Sequence, residues 1–180
     1  LVAFGLRDSI SDIIDNQWPT ISHYDYIVGM TSDVSEEEAD QINAELNQVG
    51  ATNIHRITRE NVLLESSTQK AGSLTRTTIM TSNSLQDLTG LATLRNRLSG
   101  QTIELGEDSV VITEKLAKRL GVGVGDTVQV YAQDRIGNVS GEPSTLTVTG
   151  VAENYVGSYL YLGPSAWHSL GIQDQAADGW

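Results

Sequence analysis

Between Val110 and Tyr155 the sequence runs V-V-I-T-E-K-L-A-K-R-L-G-V-G-V-G-D-T-V-Q-V-Y, crosses a polar connection, and resumes as T-L-T-V-T-G-V-A-E-N-Y. This order constrains the fold more than any other stretch. An apolar run at Val110 to Ile112 reads as a buried strand, and Thr113 stands where a helix cap belongs. Leu116, Ala117 and Leu120 then share one helical face. Gly121, Gly123 and Gly125 release the chain into a turn, since glycine enters positive φ freely. Val128 and Val130, with Leu146 and Val148 across a hairpin, alternate onto an inner face. The connection from Gln133 to Ser144 reads as an exposed, extended loop, the kind of place where a partner makes contact.

The rest of the chain alternates helix and strand signals. Leu6, Ile10, Ile13, Ile14 and Trp18 form one helical stripe, while Asp8, Asp12 and Asp15 share a solvated face. Pro19 ends this helix. Tyr24, Tyr26, Val28 and Met30 alternate as a strand would. Ser35 followed by Glu38 is a capping box. Ala39, Ile42, Leu46 and Val49 make the buried stripe of its helix, which Gly50 terminates. Thr52 to Leu64 reads as two short strands or one bent one, broken at Arg59-Glu60-Asn61, and Leu74 to Thr81 as another strand. A helix beginning at Ser84 presents Leu85, Leu88, Leu91 and Leu98, although Gly90 inside it costs close to 1 kcal/mol relative to alanine. Tyr159-Leu160-Tyr161-Leu162 alternates aromatic and aliphatic faces, and Pro164-Ser165 opens a short helix reaching Leu170. The tail from Gly171 shows no pattern. This succession predicts an α+β fold built as an α/β sandwich.

At 180 residues the chain is long enough to bury roughly 70% of its unfolded surface. Eleven basic residues against twenty-three acidic ones give a net charge of −12, which disfavours nucleic acid and anionic lipid as partners. Without cysteine there are no disulfides or thiolate metal sites. Nothing approaches the ~20 apolar residues of a membrane span. The opening Leu1-Val2-Ala3-Phe4 lacks an initiator Met and a basic leader region. It reads either as the cut end of something longer or as a frayed core helix.

Chemistry-bearing patterns are sparse. Gly121-x-Gly-x-Gly follows a helix and opens a strand, the reverse of a nucleotide-binding loop. No G-x-x-x-x-G-K-[ST] loop and no G-x-S-x-G elbow occur. His23, His55 and His168 stand singly, with no chelating pair. Asn138-Val139-Ser140 matches a glycosylation acceptor by spacing alone. Asp126, directly after the glycine turn, reads as an acceptor for turn amides. Glu153, Asn154 and Tyr155 form the most polar cluster beside the sheet, where a structural role outweighs ligand contact. Neither catalytic residue, cofactor nor metal is expected, and the chain reads as a non-enzyme.

The run Val111-Ile112-Thr113-Glu114-Lys115-Leu116-Ala117, then Leu120-Gly121-Val122 and Gly125-Asp126-Thr127-Val128, resembles the extracytoplasmic core domain of FtsX-like ABC transporter permeases, the family of the MacB, LolC and FtsX types. Phe4-Gly5-Leu6-Arg7-Asp8-Ser9-Ile10, with Gln17 and Tyr24-Asp25, resembles the segment leaving the first membrane helix in large Gram-positive members. Glu153-Asn154-Tyr155 with Tyr159 to Leu162 resembles their return segment. Ser158 departs from the pattern, since members often carry histidine there, and members also continue beyond the position of Trp180, which would leave a sheet edge unpaired.

The resemblance implies a porter-like sandwich with an inserted small β-rich subdomain and an N-terminal stalk helix. The divisions it implies are 1–20 for the stalk, 21–104 for the sandwich, 105–155 for the β-rich part and 156–180 for the return segment. Gly125, Asp126, Glu153, Asn154 and Tyr155 become family-signature positions, and Leu6, Ile10, Ile13 and Trp18 a coupling stalk. The parent protein would span the cell membrane, present this domain outside, work with a separate ATP-binding subunit, and meet a second permease copy or an extracellular protein. The implied function is non-catalytic coupling of ATP-driven motion to export or release of a lipoprotein, peptide or lipid-like substrate. Two other readings stay open: a module that activates a cell-wall hydrolase, and a soluble ligand-binding protein.

Overall fold

The computed structural model describes residues 17, 20–30, 34–69, 72–134, 136–172 and 179. The stalk positions Leu6, Ile10, Ile13 and Trp18, and the acidic face of Asp8, Asp12 and Asp15, lie outside these residues. Helix α1 (Glu36–Gln48) precedes strands β1 (Thr58–Ser66) and β2 (Thr75–Thr81), then helix α2 (Leu85–Leu91). After these come β3 (Val110–Thr113), α3 (Glu114–Leu120), β4 (Thr127–Gln133), β5 (Val139–Thr147), β6 (Gly150–Ala152), β7 (Tyr159–Leu162) and α4 (Pro164–His168). The seven strands form one mixed sheet in the order β5-β4-β1-β2-β7-β3-β6. β2 runs parallel to β7 and β3 parallel to β6, while the other neighbours are antiparallel. The fold is α+β, as the sequence predicts.

Strand periodicity divides the core between the two faces of this sheet. Ile79, Val110, Ile112, Leu160 and Leu162 point to one face, where they meet Leu116 and Leu120 of α3 and Trp167 of α4. Met80, Val111 and Tyr161, one residue out of phase, point to the other and meet Leu88 and Leu91 of α2. Both faces of β3 are therefore buried, which explains its unbroken Val-Val-Ile run. Burial pushes the Tyr161 hydroxyl well above the usual tyrosine value. The helix, the glycine turn and the inward alternation of the organising stretch fold as read. Leu116, Ala117 and Leu120 are buried, Gly121 closes α3 in the left-handed region at φ 68°, and Val128, Val130, Leu146 and Val148 all face inward. Thr113 holds the N-cap position without capping. Its hydroxyl instead accepts from the Tyr159 amide at 3.0 Å, tying β7 to β3.

Helix α1 has its capping box: the Glu38 amide donates to Ser35 Oγ, and the Ser35 amide donates to the Glu38 carboxylate at 2.9 Å. Ala39 is buried, with Ile42 and Leu46 packed beside it on Val34 and Ile54, in a cluster separate from the sheet core. Val49 is not part of this stripe. It is the C-cap residue and 80% exposed.

Several other expectations are corrected. Tyr24 to Met30 is not a strand. Alternation needs a ladder partner, and among the described residues this segment makes one bridge, Gly29 to Gly179, leaving Tyr26 exposed. The region Thr52 to Leu64 contains one strand, β1, and Arg59-Glu60-Asn61 lies within it because β2 pairs along its whole length. The helix from Ser84 stops at Ala92, and Leu98 is exposed. Here the preceding chain captures the helix end: the His23 amide donates to the Leu91 carbonyl, and the Thr93 amide to that of Ile21. Gly90 sits where the His55 ring rests, for a Cβ there would lie 2.3 Å from Cε1.

The connection from Gln133 to Ser144 is mostly strand. Asp134 accepts from the amides of Ile136 and Asn138, at 3.0 and 2.8 Å, which folds a tight turn. Those amides hold its carboxyl below the usual aspartate range, the Asn138 amide foremost. β5 then continues as an exposed edge carrying Gly141 and Pro143, residues that mask a strand signal and also blunt an edge.

Candidate functional site

The polar cluster after β6 becomes a junction between distant parts of the chain. Glu153 follows the last residue of a buried strand, so its carboxylate enters the protein rather than solvent; its side chain is 4% exposed. A buried carboxylate needs a partner. Arg95 supplies it, its Nε donating to Glu153 Oε1, and the backbones are joined as well, the Arg95 carbonyl accepting from the Glu153 amide at 2.9 Å. Arg95 also makes the isolated bridge with Thr102, so the ion pair anchors the irregular segment after α2 to the end of β6.

The two residues after Glu153 extend the junction. Asn154 Nδ2 donates to the Val156 carbonyl at 2.5 Å, shaping the β6–β7 connection. The Tyr155 ring lies under the Arg97 guanidinium, 5.7 Å from its centroid. Arg97 reaches Glu114 at the start of α3, at 3.6 Å, a half-exposed pair of small energetic value. Finally, the amides of Tyr155 and Val156 donate to Gln17 Oε1 at 2.8 and 3.3 Å. Three remote segments thus meet around Glu153-Asn154-Tyr155.

Gly125 and Asp126 sit apart from the Glu153 ion pair, in the turn before β4. The Gly123 amide donates to Asp126 Oδ2 at 2.8 Å, and the Asp126 carbonyl accepts from Val148 at 2.9 Å, closing the turn onto β5 and its continuation. Gly125 has φ 91°, which its lack of a Cβ permits. The carboxylate is thereby engaged with its own turn.

A cleft of about 550 Å³ opens beside α1, lined among others by His23, Tyr24, Ile27, Leu46, Ile54 and His55. His55 Nδ1 lies 3.1 Å from Asp87 Oδ1, the arrangement that orients an imidazole in catalytic triads. The opposite edge of the ring, however, packs on Gly90, and His23 is separately bonded to Thr93. His168 belongs to α4. Among the described residues no three His, Asp or Glu side chains converge as a metal site would require, and no helix is long and apolar enough to cross a membrane.

Sequence reasoning placed Glu153, Asn154 and Tyr155 together but missed Arg95 and the His55–Asp87 pair. Partners 58 and 32 residues away leave no local pattern. The one available signal was chemical: an acid placed directly after a buried strand requires a cation somewhere.

The model of the MacB-like periplasmic core domain family matches residues 1–177. No protein of curated function matches the chain by sequence. Among solved structures, the chain is similar to the extracellular domain of the noncanonic ABC-type transporter YknZ from Gram-positive bacteria. That likeness has 18% identity and a TM-score of 0.45 over 83% of this chain and 78% of the other. A domain of a putative permease protein from Porphyromonas gingivalis is similar at 14% identity and a TM-score of 0.36, over 90% of this chain and 67% of that one.

Proposed function

The chain belongs to the MacB-like periplasmic core domain family, the extracytoplasmic part of FtsX-like ABC transporter permeases, and we propose that it serves its permease as a non-catalytic transmission element. In this reading a separate ATP-binding subunit drives the membrane part, and the stalk of Leu6, Ile10, Ile13 and Trp18 carries the displacement outward. The domain turns that motion into export or release of a lipoprotein, peptide or lipid-like substrate. The divisions at 1–20, 21–104, 105–155 and 156–180 enter the same proposal as stretches of sequence whose strands share one sheet, with Gly125, Asp126, Glu153, Asn154 and Tyr155 as structural signature positions.

The observation that carries the reading is the family match across residues 1–177, nearly the whole chain. The junction geometry supports it: the Glu153 carboxylate is held by Arg95, the Tyr155 ring by Arg97, and the Tyr155 and Val156 backbone amides by Gln17, as suits a joint that bears load. The test is made in the parent permease with its ATP-binding subunit, reconstituted in vesicles. Ile13→Pro would break the helix that this reading assigns to the stalk, so transport is expected to be lost while the ATP-binding subunit still co-purifies. Undiminished transport by that variant would remove the coupling role.

A further inference from the structure

Gln17 is bonded through both ends of its side-chain amide. It is 4% exposed, and every polar group of its side chain is used. Nε2 donates to Ser22 Oγ at 3.0 Å. Oε1 accepts from both Tyr155 and Val156 amides, 138 and 139 residues away. Its backbone carbonyl also accepts from the Ser22 amide at 2.8 Å. The orientation of the side-chain amide is therefore fixed, since turning it over would set an NH₂ against two N–H donors. Burying so flexible a side chain has an entropic cost larger than that of a leucine or isoleucine, and three hydrogen bonds offset it.

We infer that Gln17 is a latch: it joins the chain at Gln17 and Ser22 to the β6–β7 connection so that a displacement of one is passed to the other. From that connection the link continues into the sheet by two routes. One is the Tyr159 amide on Thr113 Oγ1, at 3.0 Å. The other is the Glu153–Arg95 pair, which reaches the segment after α2. The latch itself stands on this geometry; only its use in transport rests on the transmission reading above.

Amide hydrogen exchange in the 180-residue chain, followed by NMR, tests it. Gln17→Met keeps the length of the side chain and removes the acceptor. The Tyr155 and Val156 amides are then expected to exchange roughly tenfold faster, while Val62, Val111 and Leu160 in the core keep their rates. In Gln17→Glu a carboxylate accepts the same two amides and Ser22 Oγ turns to donate, so protection should persist at neutral pH. Unchanged rates at Tyr155 and Val156 in the Met variant would mean that Gln17 only fills space, and the latch would be abandoned. Should the Met variant lose core protection as well, the Glu variant decides: an intact core with unprotected Tyr155 and Val156 overturns the inference. Transport by the parent permease separates the two levels. Normal transport with the two amides opened refutes the transmission reading and leaves the latch in place.

Discussion

At the scale of single residues, the Glu153–Arg95 pair distinguishes two substitutions that look equivalent. The glutamate side chain is 4% exposed and the arginine 27%. Losing Glu153 leaves a cation that can still reach water, whereas losing Arg95 strands a buried carboxylate. Arg95→Met should therefore destabilise by roughly 3 kcal/mol and Glu153→Gln by roughly 1 kcal/mol, as read by urea unfolding. Equal losses, or the reverse order, would show that the pair is not what holds the junction. Gly163 makes a sharper case. Its φ of −66° is available to any residue, but a Cβ would lie 2.0 Å from the Gly106 carbonyl oxygen and 2.4 Å from that of Glu107. Backbone cannot move aside as a side chain can, so Gly163→Ala is expected to cost about 2 kcal/mol or more by overpacking. Thermal unfolding within a degree of the parent chain would contradict that. Nothing in the sequence marked Gly163, because the segment that crowds it lies more than fifty residues earlier; Asp126, bonded within its own turn, was legible for the opposite reason.

At the scale of elements, legibility follows how local the determining interactions are. The capping box of α1, the closure of α3 at Gly121 and the alternation of β4 all depend on neighbours in sequence, and these are the elements read correctly. Tyr24 to Met30 has as good an alternation as β4, yet a strand exists only where another strand accepts its hydrogen bonds. The helix from Ser84 stopped short where the chain at Ile21 and His23, some seventy residues earlier, pairs with its last residue, Leu91, and with Thr93 just beyond it. Helix α1 itself carries a prediction with pH. The Ser35 amide, followed by the Ser35 hydroxyl, holds the Glu38 carboxyl below the usual glutamate value. A group depressed on folding adds stability that is fully present above its unfolded value and is lost as the pH falls through its folded one. Opening of α1 should therefore increase only below about pH 4.3, and Ser35→Ala, costing about 1 kcal/mol, should produce the same opening at neutral pH. Exchange rates of the α1 amides measure both, and a pH-independent α1 in the wild-type chain would refute the role given to Glu38.

At the scale of the whole molecule, the sheet and α1 are separate holdings of stability. Strands from residues 58–81 and from 110–162 alternate across a single ladder, β1 between β4 and β2, β7 between β2 and β3. None of them can leave without exposing a buried neighbour on at least one face. Helix α1 instead buries Ala39 in a small cluster of its own, and Arg56 binds its Glu36 and Asp40 at the surface. The seven strands should therefore open as one cooperative unit and α1 through a cheaper, local opening. Leu120 tests the division, for it is fully buried where α3 meets the sheet, and its carbonyl accepts from Ser66 and Thr68 at the end of β1. Leu120→Ala leaves a cavity worth about 2–5 kcal/mol. Native-state exchange should show that loss uniformly in the slowest amides of all seven strands, with α1 amides unchanged, whereas Ser35→Ala should do the converse. A Leu120→Ala chain in which β1 and β4 weaken while β3 and β7 do not would mean that the sheet is two units joined edge to edge, and that a displacement passed through the proposed Gln17 latch would stop at the boundary instead of crossing the domain.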